Sequence, residues 1–131
     1  MNFFIHENFS EVAGLLLKIF DGQSAFELFS DTYPSGTPDA EWIGCVGKQA
    51  QKPFVVSGND GMLTNAVARR ALKESGCSFV YLSTALARQP WSEQVWKLMR
   101  VWPEVVRLAK ESTHQCTIEI TGQGKARRFN L

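Results

Sequence analysis

The stretch Phe-Val-Val-Ser-Gly-Asn-Asp-Gly, residues 54–61, contains a short, uninterrupted apolar run that ends in polar residues. Two other runs have the same form: Phe3-Phe4-Ile5 is followed by His6, and Phe79-Val80-Tyr81-Leu82 is followed by Ser83. Helix-like segments separate the three runs. Short apolar strands that alternate with helices are typical of a parallel sheet buried on both faces. The pattern therefore predicts an α/β protein with a mainly parallel central sheet.

Polar residues at the ends of these strands are the first functional candidates. In open parallel sheets, ligands bind in the crevice beyond the carboxyl ends of the strands. Side chains that follow the three predicted strands should therefore be the ones that reach a ligand. They are His6, Glu7, Asn8, Ser57, Asn59, Asp60, Ser83 and Thr84.

Composition indicates an ordinary folded protein. The 131 residues are 44% hydrophobic and 21% charged, and the net charge of +1 argues against a strongly basic surface over the whole chain. One domain, residues 1–131, is expected. Cys45, Cys77 and Cys116 are widely spaced without a CxxC pair, which argues against a disulfide framework or a zinc knuckle. Neither a signal peptide nor a membrane-spanning segment is evident, so a cytoplasmic location is expected.

The first predicted helix is amphipathic. Asn8 is expected to cap it, with Glu11 in the capping-box position, and Asp21-Gly22 should close it. Its large apolar residues recur at helical spacing, and we expect them to form the buried face. They are Val12, Leu15, Leu16, Ile19 and Phe20. Residues 25–29 then form a short strand or an irregular extension.

The clearest local signal for a helix start is Thr37-Pro38-Asp39. Thr37 can cap the helix, Pro38 suits the first helical position, and Asp39 in the first turn complements the helix dipole. The residues that share a face with Asp39 are Trp42, Ile43 and Val46, which form an apolar stripe. Asp39 therefore lies at the tip of the predicted buried face, where a functional role and simple helix capping are both open.

The second half of the chain contains two more predicted helices. The first is capped by Thr64 or Asn65, ends at Gly76, and buries Val67, Ala68, Ala71 and Leu72. The second begins at Pro90-Trp91, runs to about Lys110, and should be broken or restarted by Pro103. A hairpin from Cys116 to Phe129, with Gly122-Gln123-Gly124 at its turn, is expected to end the chain.

The acidic candidates suggest a metal site. Asp39, Asp60 and either Glu7 or His6 are expected to converge, and clustered carboxylates are usually held together by a hard divalent cation. Such an ion can orient water and neutralise a phosphodiester. The chain has no GxGxxG, Walker lysine loop or GxSxG motif, which argues against dinucleotide-binding, P-loop and α/β-hydrolase functions.

Several stretches together resemble the PIN-like domain, the metal-dependent ribonuclease fold of VapC-type toxins. They are Phe3-Phe4-Ile5-His6-Glu7-Asn8, Gly36-Thr37-Pro38-Asp39-Ala40-Glu41-Trp42-Ile43, Val55-Val56-Ser57-Gly58-Asn59-Asp60 and Trp102-Pro103. The resemblance runs over most of the chain. It implies a three-layer α/β/α sandwich with a hairpin-like extension at the carboxyl terminus.

The resemblance also implies an activity and a partner set. A PIN-like protein of this type would hydrolyse RNA phosphodiester bonds with metal-activated water, in a toxin–antitoxin context, and would pair with a cognate antitoxin and with a second copy of itself. The implied catalytic residues are His6, Asp39, Asn59 and Asp60. The implied ligands of Mg²⁺ or Mn²⁺ are Glu7, Asp39 and Asp60. The implied RNA contacts are Ser57, Arg69 and Arg70.

His6 departs from the family pattern, because an Asp is expected at this first acidic position. Imidazole is a poor ligand for magnesium, which prefers oxygen. Three interpretations stay open: Glu7 and Asp60 substitute, a manganese-like ion replaces magnesium, or the nuclease site has decayed. In the last case the chain is a catalytically inactive binding module that acts through a protein partner. Trp91, Trp96 and Trp102 are then candidate interface residues. A generic doubly wound small-ligand domain is the third alternative.

Overall fold

A six-stranded sheet forms the centre of the molecule in the computed structural model, which describes residues 1–131. The strand order is β2-β1-β3-β4-β5-β6. The first five strands are parallel, and β6 runs antiparallel to β5. The strands are β1 (Asn2–Ile5), β2 (Ala25–Leu28), β3 (Phe54–Ser57), β4 (Phe79–Leu82), β5 (Cys116–Ile120) and β6 (Ala126–Asn130).

Helices cover both faces of this sheet. They are α1 (Glu11–Asp21), α2 (Asp39–Val46), α3 (Gly61–Thr64), α4 (Ala66–Ser75), α5 (Thr84–Ala87) and α6 (Trp91–Glu111), with a 3₁₀ turn at Phe29–Asp31. Helices α1 and α6 contribute to one apolar core, and α2 and α4 contribute to the other. None of the helices is long and apolar enough to cross a bilayer. The arrangement is the expected three-layer α/β/α sandwich.

Alternation along β1 shows how the strands serve both cores. Phe3 and Ile5 pack into the core beneath α1 and α6, whereas Phe4 packs into the core beneath α2 and α4. Successive side chains of a strand point to opposite faces, so a strand that is covered by helices on both faces must be apolar throughout.

The carboxyl-terminal hairpin is part of the same sheet, because β5 pairs in parallel with β4 from Phe79↔Thr117 to Leu82↔Ile120. The predicted hairpin of β5 and β6 is confirmed, and it forms one edge of the sheet.

The buried face of α1 differs from the prediction. Ala13, Gly14 and Leu17 are buried. The five apolar residues expected inside are exposed instead: Val12, Leu15, Leu16, Ile19 and Phe20. Gly14 faces the sheet, where an added Cβ would be in ordinary van der Waals contact, 3.4 Å from Ile5 Cγ2. The face that packs on the sheet carries two small residues, Ala13 and Gly14, beside one large residue, Leu17.

Two predicted helix caps are also wrong. Ser10, not Asn8, caps α1, because the Ser10 side chain accepts a hydrogen bond from the backbone N–H of Ala13 at 3.2 Å. Thr37 does not cap α2; its hydroxyl donates to the Pro34 carbonyl at 2.6 Å, and Pro38 occupies the cap position. In contrast, Asn65 caps α4 as predicted. In each case the cap is set by where the chain turns into the helix, which local sequence determines only within a few residues.

Pro103 does not interrupt α6, which runs continuously from Trp91 to Glu111. An interior proline removes one backbone hydrogen bond and costs about 3 kcal/mol. The helix offsets this by burying one long apolar stripe against the sheet: Leu98, Val101, Trp102, Val105 and Ala109.

The buried face of α4 is narrower than predicted, because Ala68 and Leu72 are buried but Val67 is 69% exposed.

Asp21 joins the end of α1 to α6. Its Oδ2 accepts a hydrogen bond from Trp102 Nε1 at 3.0 Å, and its Oδ1 accepts from the backbone N–H groups of Gln23 and Ser24. Partial burial acts to raise the pKa of Asp21. The hydrogen bonds from Ser24, Trp102 and Gln23 together outweigh burial and hold the pKa below its ordinary value of 3.8.

We expect Asp21→Asn to be less stable than wild type by about 1 kcal/mol at neutral pH. Because the folded-state pKa is depressed, the stabilisation is present above the unfolded-state pKa and is lost as the pH falls through the folded-state pKa. The difference between the two proteins should therefore shrink below about pH 4. Urea unfolding at several pH values measures it. The exposed Asp31→Asn is the control, and an equal, pH-independent loss in both variants would contradict the assignment.

Candidate functional site

The carboxyl ends of β1 and β3 meet at one edge of the sheet. The two strands pair in parallel through Ile5↔Val56, and the His6 N–H continues the pairing by donating to the Val56 carbonyl at 2.9 Å. The loops that follow the two strands are therefore neighbours. We refer to the surface formed by residues 6–10 and 57–60 as the carboxyl-end crevice.

His6 and Asp39 lie together on one side of this crevice. His6 Nε2 is 3.5 Å from Asp39 Oδ1, and Trp42 Nε1 donates a hydrogen bond to the same oxygen at 3.0 Å. The imidazole stacks on Trp42, with ring centroids 4.9 Å apart, and meets Phe29 edge-on at 5.5 Å. The His6 side chain is 9% exposed and that of Asp39 is 38% exposed. Aromatic packing therefore fixes the imidazole beside a partly accessible carboxylate.

Asp39 does not cap helix α2. Pro38 is the N-cap residue of α2, and no side chain caps that helix. The Asp39 carboxylate instead accepts the indole N–H of Trp42, three residues along the same helix. Asp39 lies beside the end of β1 because the buried stripe of Trp42, Ile43 and Val46 docks α2 there.

Asn8 is the central polar residue of the crevice. Its Oδ1 accepts hydrogen bonds from the Ser57 hydroxyl and from the Gly58 N–H, both at 3.0 Å. Its amide nitrogen lies 3.4 Å from Asn59 Oδ1, which also accepts the Gly61 N–H at 2.8 Å. Asn8 was predicted both to be a functional candidate at a strand end and to cap the first helix. The structure instead uses it to join the loops after β1 and β3.

Glu7 and Asp60 have other surroundings. The Glu7 carboxylate accepts the Gly36 N–H, at 3.2 and 3.4 Å to its two oxygens, and so holds the loop before α2. Asp60 lies near Tyr81 of β4. Burial, the 2.7 Å hydrogen bond to Glu119 and the charges of Glu119 and Asp60 raise the pKa of Tyr81 well above its usual range. Asp60 therefore follows β3 and acts on a residue of β4, whereas Asp39 contacts His6 at the end of β1.

These acidic residues do not form a shared metal site. No group of three or more His, Cys, Asp or Glu side chains is placed to hold one ion. Mg²⁺ and Mn²⁺ require several ligands, mainly oxygen, around one point. The structure does not bring Glu7, Asp39 and Asp60 around one point, so this arrangement does not fit the ion that the resemblance implies, and their roles as metal ligands stay a prediction. Spacing along the chain did not indicate which of these side chains meet.

The residues expected to contact RNA have different accessibilities. Ser57 is fully buried and donates its hydroxyl to Asn8, so its role in this geometry is to position Asn8. Arg69 and Arg70 lie on α4 and are exposed. Arg70 forms an ion pair with Glu74 at 3.0 Å, one turn along the helix. Arg69 is therefore the more available cation of the pair.

Two cavities adjoin the crevice, and residues 8–10 line both of them. One, of about 510 Å³, is mainly polar and includes Glu7, Glu11, Ser30 and Tyr33. The other, of about 260 Å³, is mainly apolar. It lies between the start of α1 and the start of α6, and its lining includes Phe9, Gly58, Trp91, Gln94 and Leu98. Trp91 was predicted as a candidate interface residue, and its position beside the strand-end residues Asn8 and Gly58 was not predicted.

Comparison with known proteins agrees with this architecture. A family model described as a PIN like domain matches residues 1–84, which include β1 to β4 and the whole carboxyl-end crevice. No curated protein and no solved structure matches the chain. The matched segment covers well over half of the sequence, and the α/β/α sandwich is a nuclease-type fold. The chain therefore belongs to the PIN-like domain family.

Proposed function

We propose that this PIN-like domain binds single-stranded RNA across the carboxyl-end crevice and does not hydrolyse it with a metal-activated water. The observation that carries the proposal is the position of the apolar cavity at Trp91. This cavity shares Asn8 and Gly58 with the polar loops of the crevice, so one ligand can contact an aromatic ring and polar groups at once.

Trp91 supplies a surface on which a base can stack. Its side chain is 47% exposed, although it lies at the start of a helix whose other face is buried. Stacking of a base on an aromatic side chain contributes about 1–3 kcal/mol and tolerates any base, because each base has a π-face. A cavity of about 260 Å³ has room for a heterocyclic base. These properties favour a nucleic acid over an extended protein segment.

Polar groups around the cavity support a modest preference for some bases over others. The Gln94 amide nitrogen donates to the Ala87 and Gln89 carbonyls at 3.2 and 2.7 Å, which fixes the side chain and leaves its oxygen as an acceptor. Arg69 is exposed on α4, outside the cavity, and is available there for a phosphate contact. Because phosphate contacts dominate nucleic-acid affinity, and the chain carries a net charge of only +1, we expect weak, salt-dependent binding.

We expect Trp91→Ala to weaken binding of a fluorescein-labelled single-stranded RNA at least about fivefold. Fluorescence anisotropy at fixed ionic strength measures the affinity. Trp96→Ala is the matched control, because Trp96 lies on the same helix with a similar exposed fraction of 45% but outside the cavity. Equal losses in the two variants, or no binding by wild type, would overturn the proposal.

Ribonuclease activity is the second candidate function. It is favoured by Asp39, which occupies the second acidic position of the family pattern and lies beside the end of β1. The same RNA, incubated with the protein and either Mg²⁺ or Mn²⁺ and separated on a denaturing gel, distinguishes the two functions. Intact RNA supports the binding module. Cleavage that requires the metal and disappears in Asp39→Asn supports the ribonuclease.

A further inference from the structure

Three exposed cations near the carboxyl end of β5 have no acidic partner. Arg88 directly follows α5, Arg100 reaches the turn between β5 and β6 from α6, and Lys125 ends that turn. None of the three forms an ion pair. We refer to these three residues as the basic patch. Their charges are free to bind an anionic ligand.

The turn between β5 and β6 brings the basic patch together. Arg100 Nη2 donates a hydrogen bond to the Gln123 carbonyl at 3.2 Å, two residues before the lysine of the patch. The loop that carries Arg88 is tied to the same turn, because Gln89 Nε2 donates to the Gly122 carbonyl at 2.8 Å. The three cations therefore belong to one surface, although they come from three segments of the chain.

A largely buried lysine fixes this arrangement from beneath. The Lys97 side chain is 14% exposed, and its Nζ donates to Gln89 Oε1 at 2.6 Å and to the Gly122 carbonyl at 3.0 Å. A Cβ added at Gly122 would lie 2.9 Å from Ala85 Cβ, so the turn sits directly against α5. The loop and the turn are therefore held against each other, and the basic patch has a defined geometry.

The basic patch adjoins the apolar cavity at Trp91. Ala87 lines that cavity and directly precedes Arg88, and Trp91 follows three residues after Arg88. Gln94, which also lines the cavity, donates its amide to the carbonyls of Ala87 and Gln89. A base stacked on Trp91 therefore has the basic patch on its β5 side.

The crevice is acidic on its other side. Glu7 and Glu11 line the polar cavity there, and no cationic side chain lines it. Asp39 lies nearby, beside the end of β1. Like charges repel and opposite charges attract, so a phosphate is disfavoured near these carboxylates and favoured near the basic patch. Charge along the carboxyl edge of the sheet is therefore asymmetric.

We propose that the RNA strand leaves the cavity towards β5, and that the phosphates flanking the stacked base bind Arg88, Arg100 and Lys125. This inference rests on the proposed RNA binding and adds the path of the strand and its phosphate contacts. Arginine can bind a phosphate through two parallel N–H donors, whereas lysine binds it as a point charge. The family model ends at residue 84, so these contacts lie outside the matched segment.

Salt dependence separates phosphate contacts from base stacking. For a single strand, each phosphate contact adds about 0.7 to the slope of log affinity against log salt concentration. We expect the triple variant Arg88→Gln, Arg100→Gln, Lys125→Gln to reduce that slope by about two and to weaken RNA binding at least about tenfold near 50 mM salt. Trp91→Ala should weaken binding without changing the slope, because stacking releases no counterions. Fluorescence anisotropy of the labelled RNA gives both quantities.

A second charge variant is the matched control. Lys48→Gln, Lys73→Gln and Lys110→Gln together give the same net charge as the patch variant, and these lysines are exposed without ion pairs. They lie at the ends of α2, α4 and α6, which cross back to the opposite edge of the sheet. We expect this control to keep the wild-type slope. Trp96→Ala should keep it too, since it removes no charge, although Arg100 lies over the Trp96 ring at 4.8 Å.

Circular dichroism checks that the variants fold. If the triple variant unfolds, the double variant Arg88→Gln, Lys125→Gln replaces it, because these two side chains make no hydrogen bond within the chain, and it should reduce the slope by about 1.4. A folded patch variant with the wild-type slope, or equal losses in the patch and control variants, would overturn the phosphate path. The RNA binding itself would then stand if Trp91→Ala still weakened it. Wild type that fails to bind RNA, or binding that Trp91→Ala leaves unchanged, would overturn the proposed function and this inference with it.

Discussion

Replacing Trp42 with alanine is expected to lower the free energy of unfolding by about 3–5 kcal/mol. Trp42 is fully buried and lies between two rings, with centroid distances of 5.2 Å to Phe4 and 4.9 Å to His6. It also meets Phe29 edge-on at 5.8 Å. Truncation would remove this packing, leave a cavity beneath α2, and take away the donor that orients Asp39. Because domains are stable by only about 5–15 kcal/mol, the loss is large.

Urea unfolding measures this effect, and two further variants separate its causes. Trp42→Phe retains most of the stacked ring but deletes the indole N–H, so we expect a loss smaller than that of alanine. Trp96→Ala makes the same truncation at an exposed tryptophan and should cost less than about 1 kcal/mol. Equal losses in Trp42→Ala and Trp96→Ala would contradict a structural role for the cluster around His6.

Gly58→Ala is expected to cost about 2–3 kcal/mol and to abolish binding at the carboxyl-end crevice. An added Cβ would lie 2.5 Å from the Asn8 carbonyl oxygen and 3.2 Å from the carbonyl carbon. Both are backbone atoms, so a loop must move rather than a flexible side chain. The movement would separate Gly58 from Asn8 Oδ1 and break the connection between the loops after β1 and β3.

Gly44→Ala is the matched control for this substitution. Gly44 lies within α2, is exposed, and has nothing within 4 Å of an added Cβ. Alanine is favoured over glycine in a helix, so we expect a gain of about 0.5–1 kcal/mol. Thermal unfolding gives the stabilities, and RNA anisotropy gives the binding. If Gly58→Ala is as stable as Gly44→Ala, the close approach of the two loops is not a constraint on the fold.

Strands and strand ends were predictable because their signal is local. The runs at residues 3–5, 54–56 and 79–82 are apolar without interruption, and only a strand covered on both faces requires that. Polar residues follow each run at the carboxyl edge of the sheet. Asn65 and Gly76, which begin and end α4, were also recognisable from local chemistry.

The faces of the helices were less predictable. Apolar spacing favoured Val12, Leu15, Leu16, Ile19 and Phe20 for the core, but α1 packs on the sheet through Ala13, Gly14 and Leu17 instead. Asp39 and His6 meet because α2 docks through Trp42, whereas Asp60 follows β3 and is not part of that pair. Neither contact follows from the spacing of the residues along the chain.

The amino-acid sequence by itself determined the parallel α/β sheet and the set of polar residues at its carboxyl edge, because burial on two faces and short-range turn chemistry act on neighbouring residues. Tertiary structure alone decided which of those polar groups meet and which face of α1 remains outside. Both depend on how closely helices and loops approach the sheet, and that distance is set by contacts between segments far apart in the chain.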